Sequence, residues 1–330
     1  MPAPFAQQRS GQPLVYCPAG PLTRDEQELT SEHFDTLNLA GLFPSKAVKI
    51  GDTWKVASEV VQALCAFEGL TSQDLTAKLE EVKEKKARVS VTGSASGIDL
   101  GAMVTANVQA SYQVDLAGRH LATLEWKQKD ERGHGPASPA TTVETTTTLK
   151  RTPIGRPESL SDVALISVPE GVEPPAAMTL LSYHHEGKTP YDLTYAREWQ
   201  WVGQTKDHVV FRVMDRGDFV AQATITPWES AGAGKHMSVE AFREAMAKTP
   251  GWEQGDVAQD GEIPTDAGPW LYRISAAGVM DGLKVVQNFY LVASPTGEQI
   301  VLAFTMTPAQ VEKLGTRDLA FVQGLEFRKK

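Results

Sequence analysis

From Ile98 to Leu116 every even-numbered position of IDLGAMVTANVQASYQVDL is apolar, while the odd ones are mostly polar. That period of two predicts a β-strand. At ~3.3 Å per residue it would run about 60 Å if straight, so it must bend, bulge or curl. It reads as the spine of an antiparallel sheet. Ser72–Lys86 and ARVSVTGSASG alternate in the same way, with Lys83–Lys86 (KEKK) as their hairpin connection. After a turn at Asp115–Gly118 the chain returns as RHLATLEWKQKDE and then as the threonine-rich TTVETTTTLKR. One or two short helices are expected against this meander. One is capped by Thr23, and the other carries Val60, Val61, Leu64, Cys65 and Phe67 up to Gly69. Between them, LNLAGLFPSKAVKIGDTWKV reads as two extended pieces punctuated by Pro44 and Gly51-Asp52.

Proline and glycine become frequent from Thr152 to Ala177, which places a domain boundary there. Beyond it, extended segments flank a turn at Gly187–Pro190, and a hairpin is predicted with its turn at Asp215–Gly217. Ser238 caps a helix presenting Phe242, Ala245 and Met246. GPWLYRISAAG and GLKVVQNFYLVASPTGEQIVLAFTM then predict strands apolar on both faces, hence central ones. Thr307-Pro308-Ala309-Gln310 is a capping box opening a terminal helix to about Gly324, with Val311, Leu314 and Phe321 facing in. The expected fold class is α+β: two domains, each an antiparallel sheet with packed helices. The expected division is a disordered tail over 1–21, a β-rich meander over 22–168, a linker over 169–177 and a second sheet-and-helix domain over 178–330.

The chain has 330 residues, 41% hydrophobic, enough for two cores, and a formal net charge of -9 without any block of like charge. That balance argues against nucleic acid and anionic membrane as partners. No apolar run approaches the ~18–20 residues of a membrane span. The opening MPAPFAQQRSGQPLVYCPAG resembles what remains after an export signal is trimmed, so a periplasmic or extracellular location is expected. Of the two cysteines, Cys17 and Cys65, two readings stay open: unrelated thiols, or in an exported chain a bridge adding roughly 4 kcal/mol. Tyr16 before Cys17 is too bulky for a lipoprotein signal.

The order strand, Ser/Pro/Gly turn, strand, Thr-Pro-capped helix and final Leu325-Glu326-Phe327 strand resembles the close of the PsbP/DcrB-like α/β/α sandwich, over roughly Thr179 to Phe327. The earlier FVAQATITPW is similar to that family's early strands. The resemblance implies a protein that binds or assists assembly rather than one that catalyses. Gly51-Asp52-Thr53-Trp54 followed by long strands resembles a β-rich family of uncharacterised secreted bacterial proteins.

Candidate chemistry is sparse. His184 and Glu186 share a strand face, which is half a metal site and more commonly a polar edge, so no metal or cofactor is expected. GSASG at Gly93–Gly97 has Ala95 where a nucleophile elbow needs serine, and AGAGKHMS at Ala231–Ser238 misses the phosphate-loop pattern. Arg216-Gly217-Asp218 is accounted for by its hairpin. Trp199, Trp201, Trp228, Trp252 and Trp270 are core anchors or, exposed in a row, a stacking surface for sugar rings. Arg197 and Glu198 beside Trp199 are polar candidates whose ordinary fate is a surface ion pair. Ala102, Ala106 and Ala110 make the spine's inner face shallow, which suits either close helix packing or an apolar cavity. The expectation is a non-catalytic exported protein that binds a protein partner or an apolar small molecule. The alternatives are a hydrolase with a dispersed His/Asp/Ser site, or carbohydrate binding through tryptophans.

Overall fold

The computed structural model describes residues 4–9, 12–30, 34–99, 101–135, 139–166, 168–169, 171–215, 218–265 and 268–328. The fold is α+β, and the chain divides into two compact units: Met1–Gly20 with Asp25–Thr179, and Pro21–Arg24 with Leu180–Lys330. Among the described residues no helix is long and apolar enough to cross a membrane.

The first unit opens with two paired strands, β1 (Phe5–Arg9) and β2 (Gln12–Tyr16), where a disordered tail was expected. Leu14-Val15-Tyr16 supplies the reason: Val15 and Tyr16 are buried, and the Tyr16 hydroxyl donates to Gln7 Oε1 at 3.0 Å. β3 (Leu22–Thr23), which belongs to the second unit, leads into α1 (Arg24–Thr30), a helix that buries nothing and leaves Leu29 exposed. The first of the two expected extended pieces is instead a 3-10 helix, Thr36–Leu42, because the Asp35 carboxylate accepts from the amides of Leu37 and Asn38. It precedes β4 (Thr53–Lys55) and α2 (Ser58–Leu64), which ends at Ala66 in the left-handed region (φ +58°) before Gly69 is reached.

The strands β5 (Gly69–Gln73), β6 (Thr76–Lys83), β7 (Lys86–Asp99), β8 (Ala102–Asp115), β9 (His120–Arg132) and β10 (Thr141–Lys150) follow. They form one antiparallel sheet in the order β10-β9-β8-β7-β6-β4, with β5 also on β7. Glu84 and Lys85, both at positive φ, make the β6–β7 turn inside KEKK. The predicted single spine is not one strand. β7 and β8 pair from Asp99↔Ala102 to Lys86↔Asp115, and Gly101 takes φ +73°, open to glycine at no steric cost. Paired residues share a face, so the buried positions are odd in β7 and even in β8. Ile98 and Met103 lie on the outer face, although Ile98 continues the even series.

The inner face packs Val60, Val61, Leu64 and Phe67 with Ala95, Ala106 and Tyr112. Trp126, fully buried, stacks obliquely on Phe34 with centroids 5.4 Å apart. Cys65 lies in this core as a free thiol, pushed up to about 12 by burial and then by the charge of Asp130. It is therefore not bridged to Cys17.

α3 (Asp162–Leu165) lies in the stretch expected to close the first domain, and α4 (Ala176–Thr179) begins within the expected linker; both belong to the first unit. In the second unit come β11 (Leu181–His185), β12 (Tyr191–Tyr195), β13 (Trp199–Gln204), β14 (Val209–Asp215), β15 (Asp218–Trp228) and α5 (Val239–Ala247). They continue as β16 (Trp252–Glu262), β17 (Trp270–Met280), β18 (Leu283–Ala293) and β19 (Gln299–Met306). The Ser238 cap and the Thr307/Gln310 capping box form as the sequence predicts. The terminal helix is split at Gly315 (φ +57°) into α6 (Val311–Leu314) and α7 (Arg317–Gln323), and Val311 faces out rather than in. β20 (Leu325–Phe327) closes a small sheet β20-β12-β11-β3, while the main sheet runs β13-β14-β15-β19-β18-β17-β16. β18 and β19 are central, as their two apolar faces require. Arg216 and Gly217 of the expected β14–β15 turn lie outside the described residues.

Gly93 is the structural element of the GSASG stretch. Where β5 hands over to β6 the Asp74 amide donates to the Ser94 carbonyl and the Ser94 amide donates to the Asp74 carboxylate, and a Cβ on Gly93 (φ +149°) would sit 2.7 Å from Leu75 Cα. Gly93→Ala is expected to lower stability by about 1–3 kcal/mol, read as a shift of the urea midpoint at unchanged slope.

Candidate functional site

The main sheet of the second unit sets its side chains in transverse rows, because directly paired residues share a face. One row is polar from edge to centre: Gln200 pairs with Arg212, Arg212 with Gln222, Gln222 with Thr305, and Thr305 with Gln287. The next row, Thr224, Ala303 and Phe289, returns to mostly apolar character, and Val301 follows.

α5 covers only part of this face. Its Phe242 and Met246 pack with Trp252, Ile274, Phe289 and Val301. Beside it remains a groove of about 780 Å³, walled by Met246, Thr249-Pro250, Met280, Leu283 and Phe219. Its floor is Gln222, Thr305, Gln287, Phe289, Val301 and Ala303. The lining residues that carry charge are Lys248 and Asp281, one of each sign, and Lys248 is paired with Glu244 at 2.5 Å. Gln222 Oε1 accepts from Arg212 Nε at 3.1 Å. Gln287 is 1% exposed, and its Nε2 donates to nothing.

The opposite face of the same strands is closed. Asp318 of α7, 1% exposed, accepts through Oδ2 from Asn288 Nδ2 (2.7 Å), the Tyr290 hydroxyl (2.8 Å) and Arg273 Nη2 (3.3 Å). Its Oδ1 takes the Leu319 amide at 2.8 Å. Burial, and then the Asp318 charge, holds the Tyr290 phenol well above its ordinary pKa. Because side chains alternate, fixing Asn288 and Tyr290 on this face fixes Gln287 and Phe289 on the groove face.

The sequence candidates fall elsewhere. His184 Nδ1 pairs with Asp192 Oδ1 at 2.9 Å, while Glu186 pairs with Arg328 Nη1 at 2.8 Å. A cation thus occupies the space beside that carboxylate, and among the described residues no group of three metal-capable side chains exists. Arg197 is held below its ordinary pKa by burial and then by Arg24. Glu198 lies 4.0 Å from Arg317. Trp199 is a core residue against Phe321 and Phe304, with centroids at 4.5 and 5.7 Å. Trp252 is also buried, Trp228 and Trp270 are half-buried and Trp201 is exposed, so the five form no exposed row. Ala102 and Ala106 are buried, and Ala106 and half-buried Ala110 belong to the first-unit core that includes α2 side chains. A depression of about 610 Å³ in that unit lies on the solvent face, lined by polar side chains such as Asn107, Gln109, Lys127 and Thr146. Gln287 was missed by sequence reasoning. Its signal is the Gln287-Asn288 pair interrupting the apolar run of β18.

No protein-family model matches the sequence, and no curated protein does. Among solved structures, a Bacteroides thetaiotaomicron protein is similar at 12% identity over 45% of this chain, with a TM-score of 0.31. The chain spans 48% of that protein. Cyanobacterial PsbP (CyanoP) from Synechocystis is 12% identical over 48% of this chain and 96% of its own, with a TM-score of 0.34. LpqN, involved in cell envelope biogenesis in Mycobacterium tuberculosis, is 8% identical over 46% of this chain and 92% of its own, with a TM-score of 0.27.

Asp318→Ala is expected to destabilise the second unit by about 3–5 kcal/mol, since it strands Arg273 among buried groups. Asp318→Asn, which keeps an acceptor, should cost less. Denaturant unfolding followed by tryptophan fluorescence measures both.

Proposed function

We propose that this protein is a non-catalytic binding protein and that its second unit holds an apolar ligand in the groove beside α5. The observation that carries this reading is the groove itself: about 780 Å³ of mainly aliphatic and aromatic lining on a rigid central sheet. Most of its floor is contributed by three adjacent strands, and the polar groups there are amides and threonine hydroxyls. Such a concave apolar site with a few convergent polar groups suits holding a small molecule.

Ala303 sits half-buried on the groove floor, so Ala303→Phe fills the groove from below. The fluorescent probe N-phenyl-1-naphthylamine should bind the wild-type chain with enhanced emission, and A303F should weaken it at least about tenfold while leaving the far-UV spectrum unchanged. Absence of probe binding to the wild type, or undiminished binding to A303F, overturns the reading.

The proposal includes export, as the resemblance of Gly51-Asp52-Thr53-Trp54 and the long strands after it to secreted proteins implies. Fractionation of the native source should recover the protein with envelope or secreted markers. Recovery with cytosolic markers overturns that part.

A further inference from the structure

Among the described residues β10 is the one long, unbroken strand edge that the two large sheets leave unpaired, and its sequence is complementary to itself. We propose that two copies of this chain associate by antiparallel pairing of β10 with β10, setting Glu144 opposite Lys150 of the partner subunit and placing Thr147 on the two-fold axis. The interface lies in the first unit and is independent of the groove.

Edge strands are normally blunted by shortness, bulges or like charge, since their free N–H and C=O groups otherwise recruit another strand. At the far end of the same sheet β4 and β5 run only three and five residues. In the second unit both edge strands, β13 and β16, are broken by register shifts, and β16 also carries Glu253, Asp256, Asp260 and Glu262. β10 is protected in none of these ways. It pairs with β9 in unbroken register over ten residues, TTVETTTTLK, which are mostly β-branched and include neither proline nor glycine. Its two charges are of opposite sign, and Thr142, Glu144, Thr146 and Thr148 are all exposed.

The phase of its hydrogen bonds is fixed just past the strand, where the Arg151 amide donates to the Ala122 carbonyl at 2.8 Å. Backbone groups alternate in direction along an antiparallel strand, so the odd-numbered residues bond to β9 while Thr142, Glu144, Thr146, Thr148 and Lys150 turn theirs outward. A second β10 must therefore pair even positions with even positions. Glu144 with Lys150 and Thr146 with Thr148 meets that condition, and the two-fold through Thr147 repeats each pair. Moving either strand by two residues removes both direct ion pairs, and centring the axis on Glu144 opposes like charges. Glu144 also pairs with Lys129 of β9, their charges 3.5 Å apart, so the row Lys129, Glu144 and Lys150 of the partner subunit alternates in sign across the interface. With β4 and β5 at the opposite end too short to extend the sheet, the association closes at two copies instead of running on as a fibre.

Sedimentation velocity on the full chain tests this. The wild type should show a concentration-dependent dimer, and Thr146→Pro, which deletes an outward amide that β9 does not take, should weaken it at least about tenfold with an unchanged far-UV spectrum. Glu144→Lys and Lys150→Glu should each weaken self-association about tenfold, yet an equimolar mixture of the two should restore it, because each chain then meets its opposite. That mixture decides alone if the proline variant fails to fold. Thr147→Cys sets two thiols across the axis, so diamide should link the chains, whereas Thr145→Cys, which lies opposite Leu149 of the partner subunit, should stay unlinked. A wild-type chain that is monomeric at its highest soluble concentration overturns the inference and leaves the edge to a different protein. A dimer that Thr146→Pro leaves at full strength, or charge variants whose mixture associates no better than either alone, overturns the β10 interface. Cross-linking through Thr145→Cys in place of Thr147→Cys overturns the register.

Discussion

The buried carboxylate of Asp318 is the constraint on which the second unit turns. A charge at 1% exposure persists only where partners surround it, and here they come from β17, β18 and the helix's own backbone. Those bonds tie α7 to the sheet at one register. Phe321 then packs into Trp199, Phe211 and Phe304, with centroids at 4.5, 5.3 and 5.8 Å. A slip of β18 by one residue would turn Gln287 toward Asp318 and drive Asn288 and Tyr290 into the groove. The polar network on one face therefore determines what the other face presents.

The first unit is specified by a different device, alternation read through a tight turn. Strand character was legible over the whole of Lys86–Asp115 because every second residue is apolar. The break at Gly101 was not, because Ile98 and Leu100 extend the even-numbered apolar series across the point where the inward positions change from odd to even. The series is accidental: Ile98 pairs with Met103 on the outer face. The paired strands over residues 5–16 were hidden for the opposite reason. Their apolar content comes in two short runs, Phe5-Ala6 and Leu14-Val15-Tyr16, and Tyr16 gains its hydrogen-bond partner from Gln7 nine residues earlier.

The candidate site was less legible than the fold, since its meaning lies in register between distant segments. Gln222, Thr305 and Gln287 become neighbours only through the β15–β19 and β19–β18 pairings, and each alone is an ordinary polar residue in a strand. His184 and Glu186 show the converse. Their spacing correctly places them along one strand, but Arg328, some 140 residues later, claims Glu186 and also reaches Asp192 at 3.2 Å. Local spacing reports which side chains share a face, and it is silent about the charge the far end of the chain brings there.

Helix length explains why the groove exists at all. Seven strands at ~4.8 Å spacing make the sheet about 29 Å across, whereas the nine residues of α5 at ~1.5 Å rise span about 13 Å. The Ser238 cap starts the helix, and Thr249-Pro250-Gly251 stops it, with Gly251 at φ +76° turning the chain into β16. The floor beside the helix stays apolar because Phe242 and Met246 of α5 pack with Phe289 and Val301 there. Half-exposed threonines and glutamine on β15 grade the surface toward solvent, and Val301, Ala303 and Phe289 keep the apolar floor beside the helix. The arrangement that remains is an apolar trough with one buried amide donor, produced by a short helix on a wide sheet and not by any loss of packing elsewhere.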